Sequence, residues 1–276
     1  MTVAIVIGTG RSGTSLAMQA LDALGFPVVG DAVPAGENNL RGTGEAVELR
    51  DAMFRLHRSL GGPRGFLPDG WQNTSVACDT REWLTRYLSL GAADEGQPNL
   101  ALKFPLSSLF LPLLRDAVRE AAVEPVWIWA TRPPAEVIAS LMRAYHSTVE
   151  NATATWVQRT FYLLRDSPDD THLLPFGTWR ENSDAQVAYL AGTLGCEDGE
   201  RIAAAKACFS ARLDHAQSDA PPLSDQAAAA LERVSSMLDG KKGRLADLVS
   251  RDSDQFCDAL MMLGTALNKL VPPSSI

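Results

Sequence analysis

The sequence predicts an α/β fold, a central parallel β-sheet flanked by helices, on three observations. Short apolar runs at residues 3–7, 100–103, 125–131 and 172–176 read as strands buried on both faces, as in parallel sheets. Helical stretches at residues 14–24, 107–121, 133–146 and 156–165 fall between them, and strands alternating with helices imply right-handed crossovers. From residue 184 onward the periodicity is helical alone, with Ala and Leu at helix spacing in 226–238 and 254–270. At about 150 residues per domain the length admits two domains or one larger one. The expectation is a single domain over residues 1–276, with its helical C-terminal part from about residue 184 packed on the sheet.

The first strand runs straight into glycine, and the helix after it starts at Thr14. Gly, Pro, Asn and Arg crowd residues 34–44, and Gly, Pro and Trp crowd 61–70, so two loops flank a helix expected over 45–59. Loops between αβ units commonly build substrate sites. The sequence shows no internal repeat, and the four alanines at 227–230 fit a helix.

Hydrophobic residues make up 46% and charged residues 21%, the balance of a globular protein rather than a collagen-like, disulfide-framework or disordered one. Lys and Arg number 25 against 33 acids, a net charge of −8, which argues against nucleic acid or anionic lipid as a partner. Any basic site must be local. Cys78, Cys196, Cys208 and Cys257 share no metal-ligand spacing and are expected as reduced thiols, with no metal bound. Residues 1–7 lack a basic region and a signal-length apolar run, and no apolar stretch approaches the ~18 residues of a membrane span. The expected location is the cytoplasm.

The segment IVIGTGRSGTSLAMQAL is a strand, a glycine-rich turn and a helix, so the backbone amides of Gly10, Arg11, Ser12, Gly13, Thr14 and Ser15 should converge on a phosphate. A tight turn with no ligand is the plainer alternative. Read as GxGxxG, Gly8, Gly10 and Gly13 fit the Rossmann loop of an NAD(P)-dependent oxidoreductase, with Asp31 about where a ribose-binding acid belongs. Against this, Arg11 and Ser12 stand where such loops usually carry small or apolar residues. Read as GxxxxG, the turn resembles a nucleotide-binding P-loop module or kinase whose Walker lysine is replaced by Thr14. Phosphoryl transfer also wants a magnesium-holding Asp at a strand end. The strands end instead in Thr131 with Arg132, in Lys103 and in Phe176, leaving only Asp31. A phosphate cradle with strand-end cations and no metal ligand suits sulfuryl transfer.

The residues GTGRSGTS followed by an amphipathic helix resemble the 5′-phosphosulfate loop of sulfotransferases that use 3′-phosphoadenosine 5′-phosphosulfate (PAPS), in their bacterial and carbohydrate-type branch. WIWATRPPAEVIAS is similar to the second family motif, which implies that Arg132 and Ser140 hold the nucleotide's 3′-phosphate; Pro133 and Pro134 suit a helix start. LALKFP resembles the family's strand ending in KxP, and GENNLRGTGEAVELRDAM its NPRGxxE segment, so the resemblance spans roughly residues 3–195. It implies a P-loop-like fold, PAPS as sulfuryl donor without a metal, and a small-molecule or carbohydrate hydroxyl as acceptor. It leaves the assembly open, a homodimer included. Leu16 replaces the aromatic that stacks adenine in cytosolic members, and the late RKGxxG motif is missing, with KKGR at 241–244 only superficially similar. FSARLDH at 209–215 loosely matches a late segment of bacterial members, with Arg212 as a nucleotide contact.

On that reading Arg11 is the cradle's cation, since a guanidinium meets phosphate oxygens as a fork. Lys103 stabilises charge on the oxygen bridging sulfur and phosphorus, against the alternative of an ordinary edge-strand lysine. The acceptor hydroxyl must lose a proton. Cytosolic members use a His after the KxP strand, absent here, so a carboxylate is expected: Glu45 rather than Glu37, against the alternative of an acid that merely stabilises a helix start. His57 and His146 are weaker candidates. Trp71, Trp83, Phe66 and Leu67 are read as an apolar wall for the acceptor.

Overall fold

The computed structural model describes residues 1–28, 30–34, 42–94, 99–209, 223 and 225–271. Five strands, β1 (Thr2–Ile7), β2 (Asn99–Lys103), β3 (Glu124–Thr131), β4 (His172–Pro175) and β5 (Gly243–Arg244), form one sheet in the order β2-β1-β3-β4-β5. The first three pairings are parallel, with Ile5 opposite Leu102 on one side and Trp127 on the other. The fifth departs from the all-parallel expectation. Gly243 and Arg244 lie antiparallel to β4, covering the edge that β4 would otherwise present.

β1 shows why these runs become central strands. Val3, Ile5 and Ile7 enter one core with Trp127 and Trp129, whereas Ala4 and Val6 enter a second with Ile128 and Leu174. Both faces are dry, so alternation of polar and apolar residues is absent.

Helices cover both faces. Next to the second core lie α1 (Thr14–Ala23), α7 (Phe176–Leu194) and α8 (Gly199–Lys206). The first core receives α2 (Val47–Ser59), α3 (Ser75–Asp94), α4 (Leu111–Glu120), α5 (Pro134–Tyr145) and α6 (Val149–Asp166), together with α9 (Asp225–Leu238), α10 (Leu245–Leu248) and α11 (Asp254–Leu270). Helix α6 starts earlier than its apolar pattern suggests because the Thr148 side chain accepts a hydrogen bond from the Asn151 amide and caps it. The helix expected from residue 107 is broken, since residues 105–109 wind as a tight 3₁₀ turn and Phe110, outside helical geometry, precedes the Pro112 restart. Helix α7 begins directly after β4, eight residues before residue 184.

The C-terminal helices share the sheet's core: α11 packs on α6 and α9, and Leu231, Val234 and Leu263 belong to the same buried cluster as Ile5 and Trp129. Leu263 is fully buried. Leu263→Ala is therefore expected to lower stability by about 2–5 kcal/mol in urea unfolding, within one cooperative transition. An unshifted main transition would mean that the tail folds apart from the sheet.

Candidate functional site

Because β1 to β4 run parallel, the turns that leave them gather at one edge of the sheet, the place where open α/β sheets collect ligands. The glycine turn after β1 occupies its centre. Gly10 and Gly13 have φ of 78° and 96°, and Arg11, at 58°, is held in the left-handed region without glycine's freedom. A Cβ on Gly13 would stand 2.6 Å from Phe176 Cδ2, and one on Gly10 2.9 Å from Arg159 Nη1, so neighbours press directly on the turn.

Two side chains that the sequence did not single out fasten this turn. Ser108 Oγ donates to the Gly8 carbonyl at 2.8 Å, and Arg159 Nη1 donates to the Thr9 carbonyl at 2.6 Å. Arg159 stands in α6 among Trp156, Val157 and Thr160, where a cation within an apolar helix face was the available signal. Ser12 Oγ is buried and has no hydrogen-bond partner among the described residues. A hydroxyl of this kind beneath a glycine turn fits an oxyanion held at the start of α1.

The second group forms around the end of β3. Arg11 Nε donates to Ser140 Oγ at 3.1 Å, and Arg132 Nη1 to the Arg11 carbonyl at 3.4 Å, so the structure brings Arg11, Arg132 and Ser140 together. Arg132 Nε also donates to Glu136 Oε2 at 2.7 Å. Arg180, from the first turns of α7, grips the same carboxylate at 2.9 and 2.6 Å. The Arg132 and Arg180 guanidinium carbons lie 4.3 and 4.8 Å from the centre of the Phe176 ring.

The third group is the Lys103 ammonium, only 3% exposed at the end of β2 and therefore no solvent-facing edge lysine. It donates to Glu45 Oε1 at 2.7 Å, to the Thr43 carbonyl at 2.9 Å and to Ser15 Oγ at 3.3 Å. Burial pulls its pKa below the ordinary lysine value; Glu45 opposes this and Arg11 adds to it. A Cβ on Gly44 would meet Met18 Cβ at 2.5 Å, so the Thr43–Glu45 stretch lies tight against α1.

The remaining expectations fare differently. Glu37 and Arg212 lie outside the described residues. His57 makes its hydrogen bond with the Pro63 carbonyl, and His146 closes α5 in a left-handed conformation. The apolar wall is corrected: Trp71 and Leu67 are core residues at 4% and 7% exposure, Trp83 stacks on Tyr87, and only Phe66 is substantially exposed, edge-on to Phe161. A large aromatic near a loop serves a core as readily as a ligand, and burial decides between them.

Two nucleotide readings lose their geometry. In a dinucleotide fold the strand carrying the ribose-binding acid lies beside the first strand. Here Val28, which leads to Asp31, pairs with Ala101 of β2, so all of β2 separates it from β1. Thr14, at the Walker lysine position, is 3% exposed and short. Among the described residues no three His, Cys, Asp or Glu side chains gather as a metal site requires, and no helix is long and apolar enough to cross a membrane.

No protein-family model and no curated protein matches the chain. Solved structures do resemble it. The sulfotransferase domain from the Synechococcus PCC 7002 olefin synthase is 16% identical with a TM-score of 0.48, the match covering 96% of this chain and 94% of that one. Sulfotransferase STF1 from Mycobacterium tuberculosis H37Rv is 15% identical with a TM-score of 0.45, over 85% and 75% of the two chains. The sulfotransferase domain from the curacin biosynthetic pathway is 14% identical with a TM-score of 0.42, over 73% and 76%. Likeness at this level does not carry a shared activity with it.

Glu136 sets an acid limit on this edge. Burial raises its carboxyl pKa, but hydrogen bonds from Arg180 and Arg132, with their charges, outweigh burial and hold it below the ordinary 4.5. A carboxyl depressed on folding contributes stability that is complete above its unfolded pKa and lost as pH falls through the folded one. The stability difference between wild type and Glu136→Gln, from urea midpoints, is expected to shrink as pH drops from about 6 to about 3. A difference independent of pH would show that Glu136 is not held ionised by the two arginines.

Proposed function

We propose that the chain is a PAPS-dependent sulfotransferase, moving a sulfuryl group to a hydroxyl of a small-molecule or carbohydrate acceptor. One observation carries the reading: beside the glycine turn a buried ammonium touches Ser15 of α1 and is paired with a carboxylate at 2.7 Å. The cation thus stands one hydrogen bond from the proton acceptor and one from the helix start that follows the glycine turn. The sequence resemblance in GTGRSGTS and WIWATRPPAEVIAS supports the same assignment.

The donor supplies a sulfuryl group on an anhydride oxygen. The amides of Gly10 to Ser15, with the orphan Ser12 hydroxyl and Arg11, would hold its 5′ side, and Arg132 and Ser140 its 3′-phosphate. Glu45 takes the proton from the acceptor hydroxyl as that oxygen bonds to sulfur and the bond from sulfur to the bridging oxygen breaks. Lys103 meets the negative charge left on that oxygen; its lowered pKa makes it a readier proton donor than an exposed lysine. The two residues work as a pair, Lys103 orienting the carboxylate that serves as base.

A general base contributes about 10²- to 10⁴-fold in rate. Glu45→Gln is therefore expected to bind adenosine 3′,5′-bisphosphate (PAP) as wild type does, while releasing it from PAPS at least about a hundredfold more slowly with a panel of phenols, alcohols and sugars. A rate loss under about tenfold would reduce Glu45 to the counter-ion of Lys103 and place the base elsewhere.

A further inference from the structure

We infer that Arg180 is a second guanidinium for the donor's 3′-phosphate, and that Glu136 is the positioning residue that holds Arg180 and Arg132 together. The inference rests on the sulfotransferase reading but reaches a residue that neither motif contains.

Arg180 lies 48 residues beyond Arg132 in the chain, on a different helix, yet both guanidiniums converge on one carboxylate. Arg132, which the second motif resemblance assigns to the 3′-phosphate, is thereby joined to Arg180 through one carboxylate. The cluster is also joined to the glycine turn at two points. Arg132 donates to the Arg11 carbonyl, and Phe176, over which both guanidiniums lie, presses on Gly13.

The local backbone favours the same placement. Asn182 leaves helical geometry inside α7, and its side chain accepts from the Ala185 amide, recapping the helix beyond it. The turn that bears Phe176 and Arg180 is thus set off from the rest of α7. Glu136 fixes it further by engaging both terminal nitrogens of Arg180, a fork geometry that lysine cannot reproduce. An acid in the first turn of α5 is stabilised by the helix dipole in any case, which explains a carboxylate there but not two arginines closing on it.

Calorimetric titration of PAP and adenosine 5′-phosphate separates the roles, because only PAP carries the 3′-phosphate. Arg180→Gln is expected to weaken PAP about tenfold to a hundredfold, the worth of a charge-assisted hydrogen bond, and adenosine 5′-phosphate less than about twofold. Arg180→Lys, which keeps the charge and suits a fold that tolerates no neutral residue there, should also weaken PAP selectively, though less. Glu136→Gln, which loosens the pair, should weaken PAP selectively too. Equal losses for both nucleotides, or none, would overturn the role of Arg180 while leaving the donor intact. A wild type that binds no PAP would overturn the donor and this inference together.

Discussion

An ammonium buried at the end of an edge strand constrains everything around it. Lys103 has almost no contact with water, so its charge must be met from within, and Glu45, the Thr43 carbonyl and Ser15 meet it. Those three partners come from the loop before α2 and from the first turn of α1. The ion pair therefore ties the loop, the glycine turn and β2 into one unit. Removing one partner of such a buried pair costs about 3–5 kcal/mol, because the other is left uncompensated. On the proposed chemistry stability and rate are coupled here, so a variant at either residue is judged by nucleotide binding as well as by rate.

The parallel sheet supplies the second constraint. Parallel strands deliver every strand-to-helix turn to one edge, so β1, β2, β3 and β4 present Arg11, Lys103, Arg132 and Arg180 within one neighbourhood despite a net charge of −8. Local cations inside an acidic protein suit a compact polyanion better than an extended one such as nucleic acid. Carboxylates interleave with them: Glu45 on Lys103 and Glu136 on the two arginines. Each holds a long side chain in one geometry before any ligand arrives, lowering the ordering cost of binding.

What the sequence revealed and what it hid follow from distance along the chain. The four parallel strands, the glycine turn and the helix after it are local patterns of β-branched runs and turn residues, and they lie within a residue or two of where they were expected. Arg132 and Lys103 were legible because strand ends at a glycine-turn edge are places where cations matter. Arg159, Arg180 and Phe176 were not, since each is placed by contacts with residues more than 40 positions away, as with Arg180 and Glu136 at 44 or Arg159 and Thr9 at 150; Glu136 lies inside the second motif, four residues from Arg132, but its pairing with Arg180 is not local. The same blindness made core aromatics look like an acceptor wall. Helix α3 carries its buried face at Ala77, Thr80, Leu84 and Leu88, a helical spacing present in the sequence, whereas the two-residue β5 is too short to read.

The claim that unites these features is that the sheet edge is a metal-independent site for a nucleotide with two phosphate positions. Calorimetry of the purified chain in EDTA, with PAP, NAD and ATP titrated in turn, tests it most directly. The account predicts saturable one-to-one binding of PAP without magnesium, tighter than that of NAD or ATP. Binding of NAD with none of PAP, or binding of ATP that appears only when magnesium is restored, would contradict it.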